Sequence, residues 1–342
     1  MKSISSQQIS ECGQSGNTNA APPTLQLQQN TDIFFKDVQP PHLASETSLV
    51  FAANKILFQT GADRKALGFI INESAFKEIQ PLITPAMSVW TTRSIPQAMS
   101  IVLSLFDRKK EFITGGVHST AVIHPTAKVS PTASIGPFCV VEAHAVIGDN
   151  TVLTSHVFIG AFCEIGARCH LASHVSIGSD GFGFFTDKKN IHHKIPQVGR
   201  VIIEDDCELG AFCALDRATL TETRLGKGCK VDNYCHFGHN VTVGENGIMA
   251  ASFKVAGSTR IGKNLLAGGS IDLNGHIEIT DNVVLSGRAG VTSSISEPGI
   301  YGGFPLETHR ESVKTLVSIP HIKKLKKQVR QILKHLQLNE ED

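Results

Sequence analysis

The sequence predicts a mainly β fold, a parallel β-helix of six-residue repeats, with a small α/β domain before it and a helical segment after it. Three observations carry this. Aliphatic residues recur every sixth position over the centre of the chain, residues 31–112 lack that period, and the C-terminal residues replace it with alternating steps of three and four.

The bulk numbers set the frame. A chain of 342 residues, 41% hydrophobic and of formal net charge +1, can bury a sizeable core divided among two or three units. That balance argues against a disordered chain and against a nucleic-acid binder. No run approaches eighteen apolar residues, and "MKSISSQQISECGQSGNTNAAPPTLQLQQ" has no apolar core of the secretory-signal kind. No transmembrane segment is expected, and the cytoplasm is the expected compartment. Residues 1–30 are rich in Ser, Gln, Asn and Pro, which predicts a flexible polar tail with Cys12 as a bystander.

Residues 31–112 follow. "SLVFAANKILF" and "ALGFIINESAF" read as strand-like apolar runs and "SIPQAMSIVLSLF" as an amphipathic helix, which together predict an α/β domain.

Residues 113–300 hold the repeat. From Ile123 the six-residue step places Val129, Ile135, Val141, Ile147, Leu153, Ile159, Ile165, Leu171 and Ile177 in phase without a miss. After an interruption at 178–200 the phase resumes at Ile203, slips by four residues beyond Leu215, and runs again from Leu225 to Val291. Neither a helix nor one long strand has this period. Short strands that turn a corner every six residues do, three to a coil of eighteen, so residues eighteen apart stack at about 4.8 Å. The aliphatic plugs the coil interior, and the residue four positions on also points inward. Seven of the eight cysteines, Cys139, Cys163, Cys169, Cys207, Cys213, Cys229 and Cys235, fall in that second phase. They read as reduced packing residues rather than as a disulfide framework. Glycine often follows the plug, where a tight corner favours it. The excursion 178–200 carries Phe182, Phe184, Phe185 and Ile195, which predicts that it folds back on something apolar.

Residues 301–342 close the chain as helical segment. Ile322, Leu325, Val329, Ile332 and Leu336 form a seam of about two heptads, too short to persist alone, so partner helices of a second copy are expected. Lys323, Lys324, Lys326, Lys327, Arg330 and Lys334 make the other faces basic, either a solvated surface or a landing site for an acidic partner.

The decapeptide "VDNYCHFGHN" groups Asp232, Cys235, His236 and His239. The register separates them: Cys235 turns inward, while His239, two residues past the plug Phe237, turns outward at a coil edge. A metal cluster therefore fails on geometry, and His236 reads as a bystander. Eighteen residues beyond His239 stands Gly257, and eighteen further Gly275, with His276 beside it. A glycine one coil above a histidine lets a substrate approach a backbone N–H of the kind that stabilises an oxyanion.

The hexad pattern resembles the hexapeptide-repeat acyltransferase superfamily, which implies a left-handed coil and a homotrimer. "SDGFGF", "KIPQVGRVIIEDDCELGAFCALDRATLTETRLGKGCKVDN", "GHNVTVG" and "VAGSTRIG" are similar to stretches of the UDP-3-O-(3-hydroxyacyl)glucosamine N-acyltransferases of lipid A biosynthesis. That resemblance implies an N-acyltransferase moving a 3-hydroxyacyl chain from acyl carrier protein to the 2-amine of a UDP-3-O-acylglucosamine. No cofactor or metal is implied beyond the phosphopantetheine arm of the donor. His239 matches the family's catalytic histidine, Gly257 its backbone oxyanion donor and His276 a second active-site histidine. Phe51 and Asn54 in "FAAN" match a uridine-binding motif whose following tyrosine is absent here, with Phe58 the nearby aromatic. Asp232 and Asn233 stand as further substrate-binding candidates, Asp232 through a neighbouring subunit or a relay. Two alternatives stay open: a transferase using an acyl-coenzyme A donor on another nucleotide sugar, and a catalytically silent paralogue.

Overall fold

The computed structural model describes residues 3–14, 25–107, 115–302 and 309–336. The chain divides into two compact units, residues 1–110 and 111–342.

The first unit is a five-stranded sheet of Gln26–Gln29, Ser88–Thr92, Gly68–Asn72, Ser48–Ala52 and Asp37–Val38, in that order. The last four strands run parallel, and Gln26–Gln29 joins the edge antiparallel. Helices Lys55–Asp63, Glu73–Ile79 and Ile95–Phe106 pack on it, and Trp90, Phe35, Phe58 and Phe69 are fully buried. The α/β expectation therefore holds, but the flexible tail over 1–30 needs correction. Of it, residues 1–2 and 15–24 lie outside the described residues. Elsewhere a short strand Ile4–Ser5 and a helix Ser6–Gln14 bury Ile4 and Ile9, and Trp90 Nε1 donates to Ser10 Oγ at 2.9 Å. Composition misled because an edge strand is held by main-chain hydrogen bonds, to which Gln28 and Gln29 add side-chain bonds to Thr91 Oγ1 and to the Thr84 and Met87 carbonyls, and because the few apolar residues Ile4, Ile9 and Leu25 are buried.

In the second unit the hexads form three parallel sheets of eight, ten and nine strands among the described residues. Gly116–Val117, Val122–Ile123 and Lys128–Val129 start one strand on each face, and partners stand eighteen residues on, as Lys128 with Val146 and Val140 with Phe158. The step widens to 38 residues across the excursion, where Glu164 meets Ile202, and to 22 across the slip, where Ile202 meets Arg224. All seven cysteines of the inward phase are buried with free thiols.

The corners carry a refinement. Residues such as His144, Asn150, Phe162, Asn240, Ser258 and His276 hold positive φ near 60°, a conformation that costs a non-glycine residue about 1 kcal/mol or more. An N–H to carbonyl bond to the coil before accompanies it, as from Phe162 to Ala143 and Ser258 to His239. The glycines after the plugs serve instead for close approach: a Cβ on Gly136 would lie 1.4 Å from the Thr154 carbonyl oxygen. Along one edge Phe138, His156, His174, Phe212 and Tyr234 stack ring on ring at 4.8 to 5.3 Å, the coil spacing made visible.

The excursion is a hairpin of Phe184–Thr186 and His192–Lys194. It does not fold back on an apolar surface of this chain: Phe182 is 85% and Phe185 54% exposed. Polar anchors replace apolar ones. Arg217 Nε donates to Gly178 O at 2.8 Å and its Nη1 to Gly199 O at 3.4 Å, so one guanidinium clasps both ends of the insertion, and Lys194 pairs closely with Asp180. The C-terminal element is a single helix, His309–His335, longer than the seam alone implied; Ile322, Leu325, Val329 and Ile332 are exposed on it, and Leu336, just past its end, is exposed as well.

Candidate active site

His239 sits at a coil corner that follows the strand His236–Phe237. Phe237, 1% exposed and 5.9 Å from the Phe253 ring, fixes that strand from inside. Outside, a cleft of about 400 Å³ is lined by Phe182, Asp216, His236, Gly238, His239, Lys254, Ala256, Gly257 and Asp272. A larger and shallower hollow of about 750 Å³ runs along another face from Lys128 to Lys227, but its lining contains no histidine and its charged groups are largely ion-paired, as in Glu164 with Arg200. The smaller cleft, which holds both His236 and His239, is the candidate site.

The ring of His239 is oriented by its neighbour. Asn240 Nδ2 donates to Leu220 O at 2.8 Å and Asn240 Oδ1 accepts the Thr219 N–H at 3.0 Å, so the amide cannot be flipped without breaking both. The atom facing His239 Nδ1 at 3.1 Å is therefore an acceptor. In the neutral ring the proton then sits on Nδ1 and the free lone pair on Nε2, the form a general base needs. Thr219 is held in turn by Gln197, a buried residue whose Oε1 accepts the Thr219 hydroxyl at 2.8 Å. The insertion approaches the root of the same side chain: a Cβ on Gly181 would stand 2.6 Å from His239 Cβ.

Gly257 lies against the imidazole. A Cβ there would meet His239 Cε1 and Nε2 at 2.7 Å. The amide two residues past a plug faces no carbonyl, and at several corners a neighbouring side chain caps it: Glu142 caps Ala161, Glu204 caps Lys227, Asp232 caps Ala251, and from the coil after, Asp205 caps Ala167 and Asp281 caps Lys263. The two capping positions around Gly257 are Gly238 in the coil before and Gly275 in the coil after, and neither has a side chain. The Gly257 N–H donates to none of the described residues, and it lines the cleft.

The predicted site residues part company here. His239 and Gly257 are brought together. His276 donates its backbone N–H to Gly257 O at 3.1 Å, but it is exposed and does not line the cleft. Asp232 and Asn233 are at another corner, where Asp232 caps Ala251 and Asn233 Oδ1 accepts the Ala211 N–H at 2.7 Å. Phe51 and Asn54 belong to the first unit, where Asn54 caps a helix by accepting the Leu57 N–H. Phe58 is not free to stack on a base, being fully buried with its ring 4.4 Å from Phe69. His236, read as a bystander, does line the cleft, with Nε2 3.7 Å from Asp216 Oδ2. Asp216 itself escaped the sequence reading. Burial raises its carboxyl pKa above the ordinary value, His236 and His239 pull it back, and Asp180 adds to the rise.

No family model matches the chain. The UDP-3-O-acylglucosamine N-acyltransferase of Wolinella succinogenes is 42% identical over 145 residues, 42% of this chain and 46% of that protein. Those of Coxiella burnetii (42% over 159 residues) and Methylococcus capsulatus (40% over 163) each match 46% of this chain and 46% of their own length. The chain thus spans about half the length of the curated relatives it matches. Among solved structures, LpxA from Acinetobacter baumannii is 26% identical with a TM-score of 0.50, covering 55% of this chain and 71% of that one. The UDP-N-acetylglucosamine acyltransferase of Francisella novicida is 25% identical with a TM-score of 0.51, covering 64% and 79%. In its repeat and its coil geometry the chain is similar to the UDP-N-acetylglucosamine acyltransferases, and over the matched half it is similar to the UDP-3-O-acylglucosamine N-acyltransferases.

Proposed function

We propose that this protein transfers a 3-hydroxyacyl chain from acyl carrier protein to the 2-amine of a UDP-3-O-acylglucosamine, a step of lipid A biosynthesis in the cytoplasm. The single observation that carries the reading is the uncapped Gly257 N–H beside an imidazole whose free nitrogen is Nε2. That pair offers what acyl transfer to an amine requires. The amine nitrogen attacks the thioester carbonyl carbon and loses a proton to His239 Nε2, while the carbonyl oxygen gains negative charge that the Gly257 N–H stabilises. The carbon–sulfur bond then breaks, and the departing sulfur takes the proton from His239. Amide and free thiol result, with no covalent enzyme intermediate.

The remaining assignments rest on resemblance. Phe51 and Asn54 contribute to holding the uridine, and His276 orients substrate near the cleft. Asp232 and Asn233 act from a neighbouring copy in a homotrimer of left-handed coils. The basic faces of the C-terminal helix, with Lys323, Lys327 and Arg330, suit the acidic carrier protein. No described helix is long and apolar enough to cross a membrane.

The test is direct. Incubation with 3-hydroxyacyl-charged acyl carrier protein and UDP-3-O-acylglucosamine should yield the diacylated sugar by mass. Transfer only from acyl-coenzyme A, or no transfer, would refute the reading.

A further inference from the structure

Among the described acidic residues that directly follow a plug, Asp216 is the exception. It occupies the position just after the plug Leu215, where Glu142, Glu204 and Asp232 spend a carboxylate oxygen on the amide of the next coil. The matching amide here is that of His239. Yet the Asp216 carboxylate accepts no hydrogen bond from any described residue, and its nearest cationic partner, His236 Nε2 at 3.7 Å, stands beyond hydrogen-bond reach. The side chain is only 12% exposed, and what is exposed lines the cleft beside His239.

The other charges around it are engaged. Lys254 Nζ holds Asp272 Oδ1 at 2.8 Å, Lys194 holds Asp180, and Arg217, 3.9 Å from Asp180, is spent on backbone carbonyls of the insertion. His236 and His239 are the groups whose protonation would supply Asp216 with a cation from within. A largely buried carboxylate without a donor is costly, and its lone pairs can accept several hydrogen bonds. A ligand bearing N–H donors and positive charge removes that cost.

We propose that Asp216 binds the acceptor's amino group in its ammonium form and so makes the site select an aminosugar over the corresponding hydroxyl sugar. This deepens the proposed function and rests on it. The bound ammonium gives one proton to water to become the nucleophilic amine, and the second leaves to His239 during attack. Asp216 is thereby an acceptor-selecting residue, distinct from the base.

The experiment is equilibrium binding, read without turnover. UDP-3-O-acylglucosamine and UDP-3-O-acylglucose are titrated calorimetrically into the wild type, Asp216→Asn and His239→Ala at pH 7, and into the wild type at pH 9. The wild type should bind the amine about tenfold tighter than the hydroxyl sugar, the size of one charge-assisted hydrogen bond. The preference should vanish in Asp216→Asn, survive in His239→Ala, and shrink at pH 9 as the ammonium deprotonates. Equal binding of the two sugars by the wild type, or an unchanged preference in folded Asp216→Asn, would overturn the inference while leaving acyl transfer intact. If neither sugar binds the wild type, the functional reading falls and this one with it. Should Asp216→Asn fail to fold, the pH dependence of the wild-type preference decides alone, and a preference constant from pH 7 to 9 refutes it.

Discussion

At Gly257 the missing side chain lets the His239 ring lie against the backbone, while the missing side chains of Gly238 and Gly275 leave its amide open. Replacing Gly257 by alanine places a Cβ 2.7 Å from Cε1 and Nε2, so the ring must shift from the position Asn240 gives it. Gly257→Ala should lower kcat about a hundredfold or more, the usual cost of disturbing an oxyanion donor, with a circular-dichroism melt close to wild type. A wild-type kcat would contradict the assignment. His239 and Gly257 were legible in the sequence because both lie beyond the slip, where a constant step of eighteen relates one coil to the next. Asp216 was not. It lies just before the slip, so its neighbour His236 is reached through a widened step, Ala214 pairing with His236, that the hexad phase alone does not supply. Its value also depends on what it fails to bond, which no spacing reveals.

At the scale of elements, the coil is held by inward plugs and thiols and by corner amides that find caps. The cysteine phase was legible because a period of six admits one inward alignment for that column. The capping network was not, since it joins side chains across coils whose offset the excursion and the slip both change. Burial pushes the Cys139 and Cys163 thiols up, and takes Cys229 from 9.0 to about 11. The folded state therefore holds those protons where the unfolded chain releases them, and stability present below pH 9 should be lost as pH rises toward about 11. In the native protein a thiol reagent at pH 8 should label Cys12 at most, against all eight cysteines after denaturation, counted by intact mass. Rapid native labelling of several cysteines would contradict a closed coil interior. The N-terminal segment was misread for a related reason: composition reports what side chains can bury, whereas the strand Gln26–Gln29 is held by hydrogen bonds of its backbone and of the Gln28 and Gln29 side chains.

At the scale of the whole chain, the parallel coil supplies rigid corners at regular height, and function enters where regularity fails. The glycines Gly238, Gly257 and Gly275 interrupt the caps, the insertion brings Phe182 to the cleft, and Asp216 is released from its place in the network. Apolar period alone marks the rod and its two flanking segments, because burial imposes it everywhere. The seam on the helix His309–His335 is equally plain in sequence, and Ile322, Leu325, Val329 and Ile332 are exposed on it. The central claim is that His239 takes the proton of the attacking amine. It is tested most directly by comparing turnover of UDP-3-O-acylglucosamine, with charged acyl carrier protein in excess, by the wild type and by His239→Ala shown to be folded. The account predicts a loss of at least about a hundredfold in kcat, the contribution of a positioned general base. Turnover by the folded variant at the wild-type rate would contradict it.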